Sequence, residues 1–255
     1  MRHFIFTIAT VLLFTAKSLA AEHHAQFFNV FDCPDRGRTS LCLLGKLSRG
    51  AIVTIIAKDW KTSAEAMGTL PYDDAHDEFK TITTLRANAR RSAGADMIAV
   101  IAPTNAVELI HQREIHDDHI SRRVVQFLRK ARDIDNSGFK YNIKTRILEV
   151  SPKIILAEAK LTSRIEATDP STQETIAVCE HCGDDTVPLV VETRMVDLFA
   201  AVRTGDDHHC GGIVSTFRLF GRMHVLSNAF SCESDTYSYT LVHDLSGKSP
   251  KLVFR

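Results

Sequence analysis

Residues 73–94, DDAHDEFKTITTLRANARRSAG, decide how the first half of the chain is read. Asp73 or Asp74 supplies an N-cap, because a short carboxylate accepts from the free N–H groups of a first helical turn. Asp77 and Glu78 then lie near the positive end of the helix dipole, and Arg86, Arg90 and Arg91 near the negative end. Phe79, Ile82, Leu85, Ala89 and Ala93 recur at helical spacing and make one apolar face. Gly94 suits the left-handed position that closes a helix. The pattern predicts an amphipathic helix.

Outward from this stretch, residues 51–57, AIVTIIA, form a β-branched apolar run that predicts a buried strand. Residues 58–72 contain Gly68 and Pro71 and read as a loop. Residues 97–101, MIAVI, predict a second strand, which Pro103 ends. A helical region over 105–133 follows, broken near Asp117-Asp118, with Ile120, Val124, Phe127, Leu128 and Ala131 as its core face.

From Phe139 onward the pattern changes to alternation at period two. Tyr141, Ile143, Thr145 and Ile147 point one way; Leu189, Val191, Thr193 and Met195 repeat the theme. So do residues 213–217 and Tyr237, Tyr239 and Leu241. Asp169-Pro170, Gly183-Asp184-Asp185, Gly205-Asp206-Asp207 and Ser246-Gly247 separate these runs as turns. Short connections between alternating strands imply an antiparallel sheet with one wet face. The expected fold class is therefore α+β: a mixed α/β region at 21–136, then an antiparallel β-rich region at 137–255, a sandwich or half-barrel. The border near 137 separates two domains or joins two layers of one. An outer-membrane barrel needs two aromatic girdles, and one tryptophan, Trp60, with four tyrosines does not supply them.

The first twenty residues read as a secretory signal peptide. Arg2 is its positive n-region, residues 4–14 its apolar core, and Ser18-Leu19-Ala20 its small-x-small cleavage site. The apolar run is too short to cross a bilayer, which takes about 20 residues. Cleavage near Ala20 would place the mature start at Ala21, in the periplasm or the extracellular space. The chain holds 31 basic and 31 acidic side chains. Loss of Arg2 and Lys17 leaves the remainder slightly acidic, which argues against nucleic acid and against electrostatic docking on anionic membranes. No Asn-x-Ser/Thr sequon occurs, and no second run reaches membrane-spanning length.

Leu85-Arg86-x-x-Ala89-x-x-x-x-Gly94-Ala95-Asp96, leading into a strand, resembles the helix–strand unit of small bacterial envelope proteins related to the Rcs stress-sensor lipoprotein. The resemblance is local, about a tenth of the chain. No Cys stands at the cleavage site, so it implies neither a lipid anchor nor signalling, and it transfers no functional residue.

Six cysteines, Cys33, Cys42, Cys179, Cys182, Cys210 and Cys232, favour disulfides in an exported chain. They allow fifteen complete pairings. The economical set joins neighbours: Cys33 with Cys42 across a turn-like segment, Cys210 with Cys232, and Cys179 with Cys182. Two sharper readings compete at Cys179-Glu180-His181-Cys182. Redox catalysis needs the first thiol at a helix N-terminus, whereas Gly183-Asp184-Asp185 leads towards a strand and adds two carboxylates. A zinc site would combine Cys179 and Cys182 with His208, His209 and Cys210, at a spacing that is not a standard one.

Other clusters are partial. Asp133, Asp135, Ser137 and Gly138 match the first half of a calcium loop, but Lys144 stands where a bidentate Glu belongs. His116 and His119, near His111, lie three apart and can share a helix face. Ala21-Glu22-His23 at a free N-terminus offers an amine, two amides and an imidazole to copper or nickel. Gly247-Lys248-Ser249 lacks the glycine a phosphate loop needs at 242, and Pro250 follows. No nucleophile elbow, His-Glu-x-x-His or dinucleotide fingerprint is present. The sequence thus supports an exported, non-catalytic binding or structural module with an unidentified protein or small-molecule partner. A zinc- or copper-binding protein and a hydrolase without a recognisable motif are the alternatives.

Overall fold

A computed structural model describes residues 25–33, 41–73, 79–87, 96–131, 140–152, 154–168, 175–178, 185–192, 199–201, 209–231, 238–247 and 250–255. The first six strands are β1 (Phe27–Asp32), β2 (Leu41–Leu44), β3 (Ile52–Ile56), β4 (Lys61–Asp73), β5 (Phe79–Ala87) and β6 (Met97–Val100). They pair in the order β1-β2-β5-β4-β3-β6, and β6 returns to β1, so the sheet closes into a barrel. All of these pairs are antiparallel. Alternate residues fill the interior: Phe28 and Val30, Leu41 and Leu43, Val53 and Ile55, Ala64 and Ala66, Leu85, Met97 and Ala99.

The expected α+β fold with a mixed α/β first half is therefore corrected to a mostly β fold with one α-helix among the described residues. The predicted helix at 73–94 is replaced, where it is described, by the last residue of β4 and by strand β5. Three residues apart means opposite faces in a strand, so Leu85 enters the barrel while Ile82 packs outside against Cys33 and Cys42. Thr81, Ile82, Thr83 and Thr84 form a β-branched run that suits a pleated surface better than a helical turn. Arg86 pairs with Glu65 of the neighbouring strand at 2.5 Å rather than with a helix terminus. The predicted loop at 58–72 is largely strand β4. Gly68 follows a register shift, and Pro71 lies where β4 has outrun β3, so no described strand on that side requires its missing N–H.

The remaining elements are β7 (Val107–Ile110), β8 (Arg113–Ile115), α1 (Asp118–Ala131), β9 (Lys140–Ser151), β10 (Ile154–Thr168), β11 (Thr175–Val178), β12 (Asp185–Glu192), β13 (Phe199–Ala201), β14 (His209–Leu219), β15 (Arg222–Ser231), β16 (Ser238–Asp244) and β17 (Lys251–Phe254). One sheet runs β17-β16-β15-β14-β7. The other runs β13-β12-β10-β9-β8, with β11 on the far end of β10. Of the helix predicted over 105–133, only α1 is helical in the described residues; a 3-10 turn at Thr104–Ala106, β7 and β8 occupy the rest of its first half.

These parts stack in four layers. On α1, Ile120, Val124 and Leu128 cover Ile147, Ile155, Ala157 and Ala159 of the β8–β13 sheet. The other face of that sheet, through Leu148, Val150 and Leu156, meets Ile213, Met223 and Val225. The opposite face of β14, β15 and β16, through Phe217, Leu219, Leu226 and Val242, packs on the barrel's outer residues Phe27, Ile56, Ile98 and Val100. The chain leaving the barrel is pinned by polar ties. Thr54 Oγ1 donates to the Ala102 carbonyl at 2.7 Å. Lys61 Nζ donates to the Thr104 carbonyl at 2.8 Å and also to that of Val107.

Gly45 has φ +130°, and a Cβ there would stand 3.0 Å from the Phe28 ring inside the barrel. Gly50 has φ +83° with nothing within 4 Å of such a Cβ. Gly50→Ala is expected to cost about 1–2 kcal/mol from backbone strain alone. Gly45→Ala is expected to cost about 1–2 kcal/mol more by displacing the ring. Urea denaturation of both variants checks this, and equal losses would remove the Phe28 contribution.

Candidate functional site

The N-terminus of α1, the edge strand β8 and the neighbouring strand β9 enclose an open cleft of about 270 Å³. Glu114, Ile115, His116, Asp117, Ser121, Thr145, Arg146 and Ile147 line it. Asp117 caps the helix: its Oδ1 accepts from the backbone N–H groups of His119 and Ile120, each at 2.9 Å. Thr145 Oγ1 donates to Ser121 Oγ at 2.9 Å and ties β9 to the helix's first turn. His116 Nε2 lies 3.2 Å from Asp118 Oδ1, with both side chains largely exposed.

Arg146 is the organising charge. Its Nε donates to Glu114 Oε2 at 2.9 Å, and its Nη1 to Glu158 Oε2 at 3.1 Å. Hydrogen bonding to Glu114 is the largest influence on the guanidinium; burial opposes it, Glu158 reinforces it, and the net effect raises the pKa. Arg146 therefore stays charged at any ordinary pH. Glu158 is mostly buried and has a second task. Its Oε1 accepts from the backbone N–H of Ile213, at 2.6 Å, across the gap between the two sheets. Gly212 makes that approach feasible, since a Cβ there would stand 3.1 Å from the same oxygen. The neighbouring Gly212 N–H donates to Asn228 Oδ1 at 2.7 Å, and Asn228 Nδ2 donates to Asp96 at the foot of β6 at 3.0 Å.

The structure brings few of the sequence candidates together. Cys33 and Cys42 form a disulfide that is buried against Ile82. His116 lines the cleft, while His111 and His119 are exposed and do not line it. Among the described residues no three His, Cys, Asp or Glu side chains gather as metal donors. His23, Cys179, Cys182, His208 and Cys232 lie outside the described residues, as do 133–138. His209 and Cys210 occupy the start of β14, with backbone partners Ser231 and Phe230, and their side chains lie outside the description. Of the segment resembling the envelope-protein unit, Leu85 and Arg86 belong to β5, residues 88–95 lie outside the described residues, and β6 supplies the strand.

Sequence reading missed Glu114, Ser121, Arg146 and Glu158. One signal was present: the Gly211-Gly212 doublet in a strand-like run, where glycine marks a close approach by another group. Protein-family models, curated proteins and solved structures were each compared with the chain, and none matches it.

Glu158→Ala leaves the Ile213 N–H and one arm of Arg146 without their acceptor, and is expected to cost about 1–3 kcal/mol. Glu158→Gln keeps an oxygen for Ile213 and is expected to lose about half as much. Equilibrium urea unfolding measures both, and an alanine variant as stable as the parent would show that the link carries no energy.

Proposed function

We propose that this chain is an exported, non-catalytic binding or structural module, held by disulfide bonding and working in the periplasm or extracellular space. The Cys33–Cys42 bridge carries the reading. It joins residues nine apart, with both sulfurs buried beside the barrel, and such bridges persist in oxidising compartments. The state of the polar groups in the cleft supports binding over turnover. Arg146 is held between two carboxylates, Asp117 caps α1, and Ser121 is engaged by Thr145. Groups fixed in this way present a formed surface to a small polar ligand. No helix among the described residues is long and apolar enough to cross a membrane.

The test is an intact mass of protein exported by its own leader, before and after reduction, with alkylation of free thiols. The expected product starts at Ala21 and resists alkylation at Cys33 and Cys42 until reduced. The double Cys→Ser variant at these positions should lose about 2–4 kcal/mol. A product that begins at Met1 with both thiols reactive would overturn the export reading.

A further inference from the structure

His224 is a buried titratable group outside the cleft, 5% exposed, at the joint between the barrel and the five-stranded sheet. Its ring stacks on Phe217 of β14, with centroids 5.2 Å apart and planes 12° apart. It also lies 6.0 Å from Phe27 of β1, the barrel's first strand. Phe27 meets Phe217 edge-on at 6.5 Å and Phe254 of β17 at 6.0 Å. Four rings from the barrel and the sheet thus share one apolar pocket.

The ring's polar surroundings are sparse. Nδ1 lies 2.9 Å from the Arg222 carbonyl, and a neutral ring protonated at Nδ1 donates there. Asp244 of β16 is the direct cross-strand neighbour. That carboxylate is already engaged by Arg222 at 2.5 Å and by the Ser246 N–H at 2.8 Å. Lys251 of β17 lies across from Asp244. Among the described residues, strand register places the charged groups Asp244, Arg222 and Lys251 on this side, and the barrel presents Phe27. His243, on β16, falls on the opposite face by strand alternation.

Burial is the largest influence on His224 and lowers its pKa below the usual histidine value; the Asp244 charge and the hydrogen bond to the Arg222 carbonyl oppose this, and the Arg222 charge adds to it. The folded-state pKa is thus below the unfolded one. The associated stability is complete above the unfolded value, about 6.5, and is lost as the pH falls from there towards the folded value. A charged imidazolium is costly to hold among the phenyl rings.

We propose that His224 is an acid-loosened latch: neutral, it packs with Phe27 and Phe217 across the joint between the barrel and the sheet, and protonated, it makes local opening of that joint more frequent while the barrel interior stays closed. The barrel's own core of Phe28, Leu43, Ile55 and Leu85 lies inside the closed strands, in a cluster separate from the one at this joint.

The test is amide hydrogen exchange of the full chain at pH 7.5 and 5.0, corrected for intrinsic rates and read by mass spectrometry. Peptides covering 214–226, in the sheet that loses its cover, should exchange faster at pH 5.0, by up to about thirtyfold, the limit set by an unfolded pKa near 6.5, whereas β1, whose amides pair with β2 and β6 within the closed barrel, should not. Peptides covering β4 and β5 should not change. His224→Phe, which keeps an aromatic ring in the stack, should abolish the difference. His224→Gln, neutral at both pH values, should do the same and serves if the phenylalanine variant does not fold. Equal exchange of the parent at both pH values, a rise spread evenly over all peptides, or an acid effect that persists in the folded variants would overturn the latch.

Discussion

The sheet formed by β7 and β14–β17 is apolar on both faces, and the rest of the molecule is arranged around the need to cover it. On β15, Val225 turns to the neighbouring sheet and Leu226 to the barrel. Each such side chain contributes about 1.5–3 kcal/mol when fully buried. Either face left in water would be a large exposed patch of the kind that drives aggregation. Neither the barrel nor the β8–β13 sheet can therefore be removed without exposing a surface built for contact. On β14 the two faces are served by an irregularity. Ile213 and Phe217 are four apart and would share a face in a regular strand. The register shift between Ile213 and Ser215 inverts the alternation, so Ile213 faces the second sheet and Phe217 the barrel.

That constraint explains which parts of the fold can be read from sequence. Helix α1 was legible because Ile120, Val124 and Leu128 follow at four-residue steps and Asp117 caps them. Strands β3 and β6 were legible as short apolar runs. The stretch at 79–87 was not, because Phe79, Ile82 and Leu85 fit the spacing of a helical face, while Ile82 and Leu85 equally fit the two faces of a strand buried on both sides. Deciding between them required knowing that Ile82 has a partner outside the barrel, in the Cys33–Cys42 bridge. Gly68 and Pro71 looked like loop punctuation for a related reason. A strand tolerates them where it bulges or outruns its neighbour, and the lengths of neighbouring strands are a property of the assembled sheet.

The cleft was less legible than the fold. Arg146 and Glu158 read as ordinary polar positions in alternating strands, and 12 residues separate them in sequence. Only the antiparallel register makes them direct cross-strand neighbours. Glu114 is brought in by β8, within a segment that read as helix. His116 was visible as part of a histidine cluster, but a cluster in sequence is not a cluster in space: the strand-to-helix corner sends His111 and His119 elsewhere than the cleft. The glycine pair before Ile213 was the one local sign that another chemical group approaches the strand.

The same glycine pair shows how the polar and apolar parts of the molecule depend on one another. Glu158 can accept from Ile213 only because Gly212 leaves room, and Ile213 is the residue at which the register of β14 shifts. Beyond the shift the strand delivers Phe217 to the barrel and to the His224 ring. A chain of charge-assisted hydrogen bonds from the cleft, Glu114 to Arg146 to Glu158, thus ends on the backbone that turns β14 from one face to the other. The arrangement is economical in physical terms. The buried Ile213 N–H, which the bulged strand needs satisfied, takes its acceptor from a carboxylate, and that carboxylate's second oxygen is neutralised by a guanidinium at the open edge. Removing the bulge would put Ile213 and Phe217 on one face and so forfeit either the Glu158 link to Ile213 or the Phe217 contact with the barrel, which makes the irregularity a requirement of the stack and not a defect in the strand.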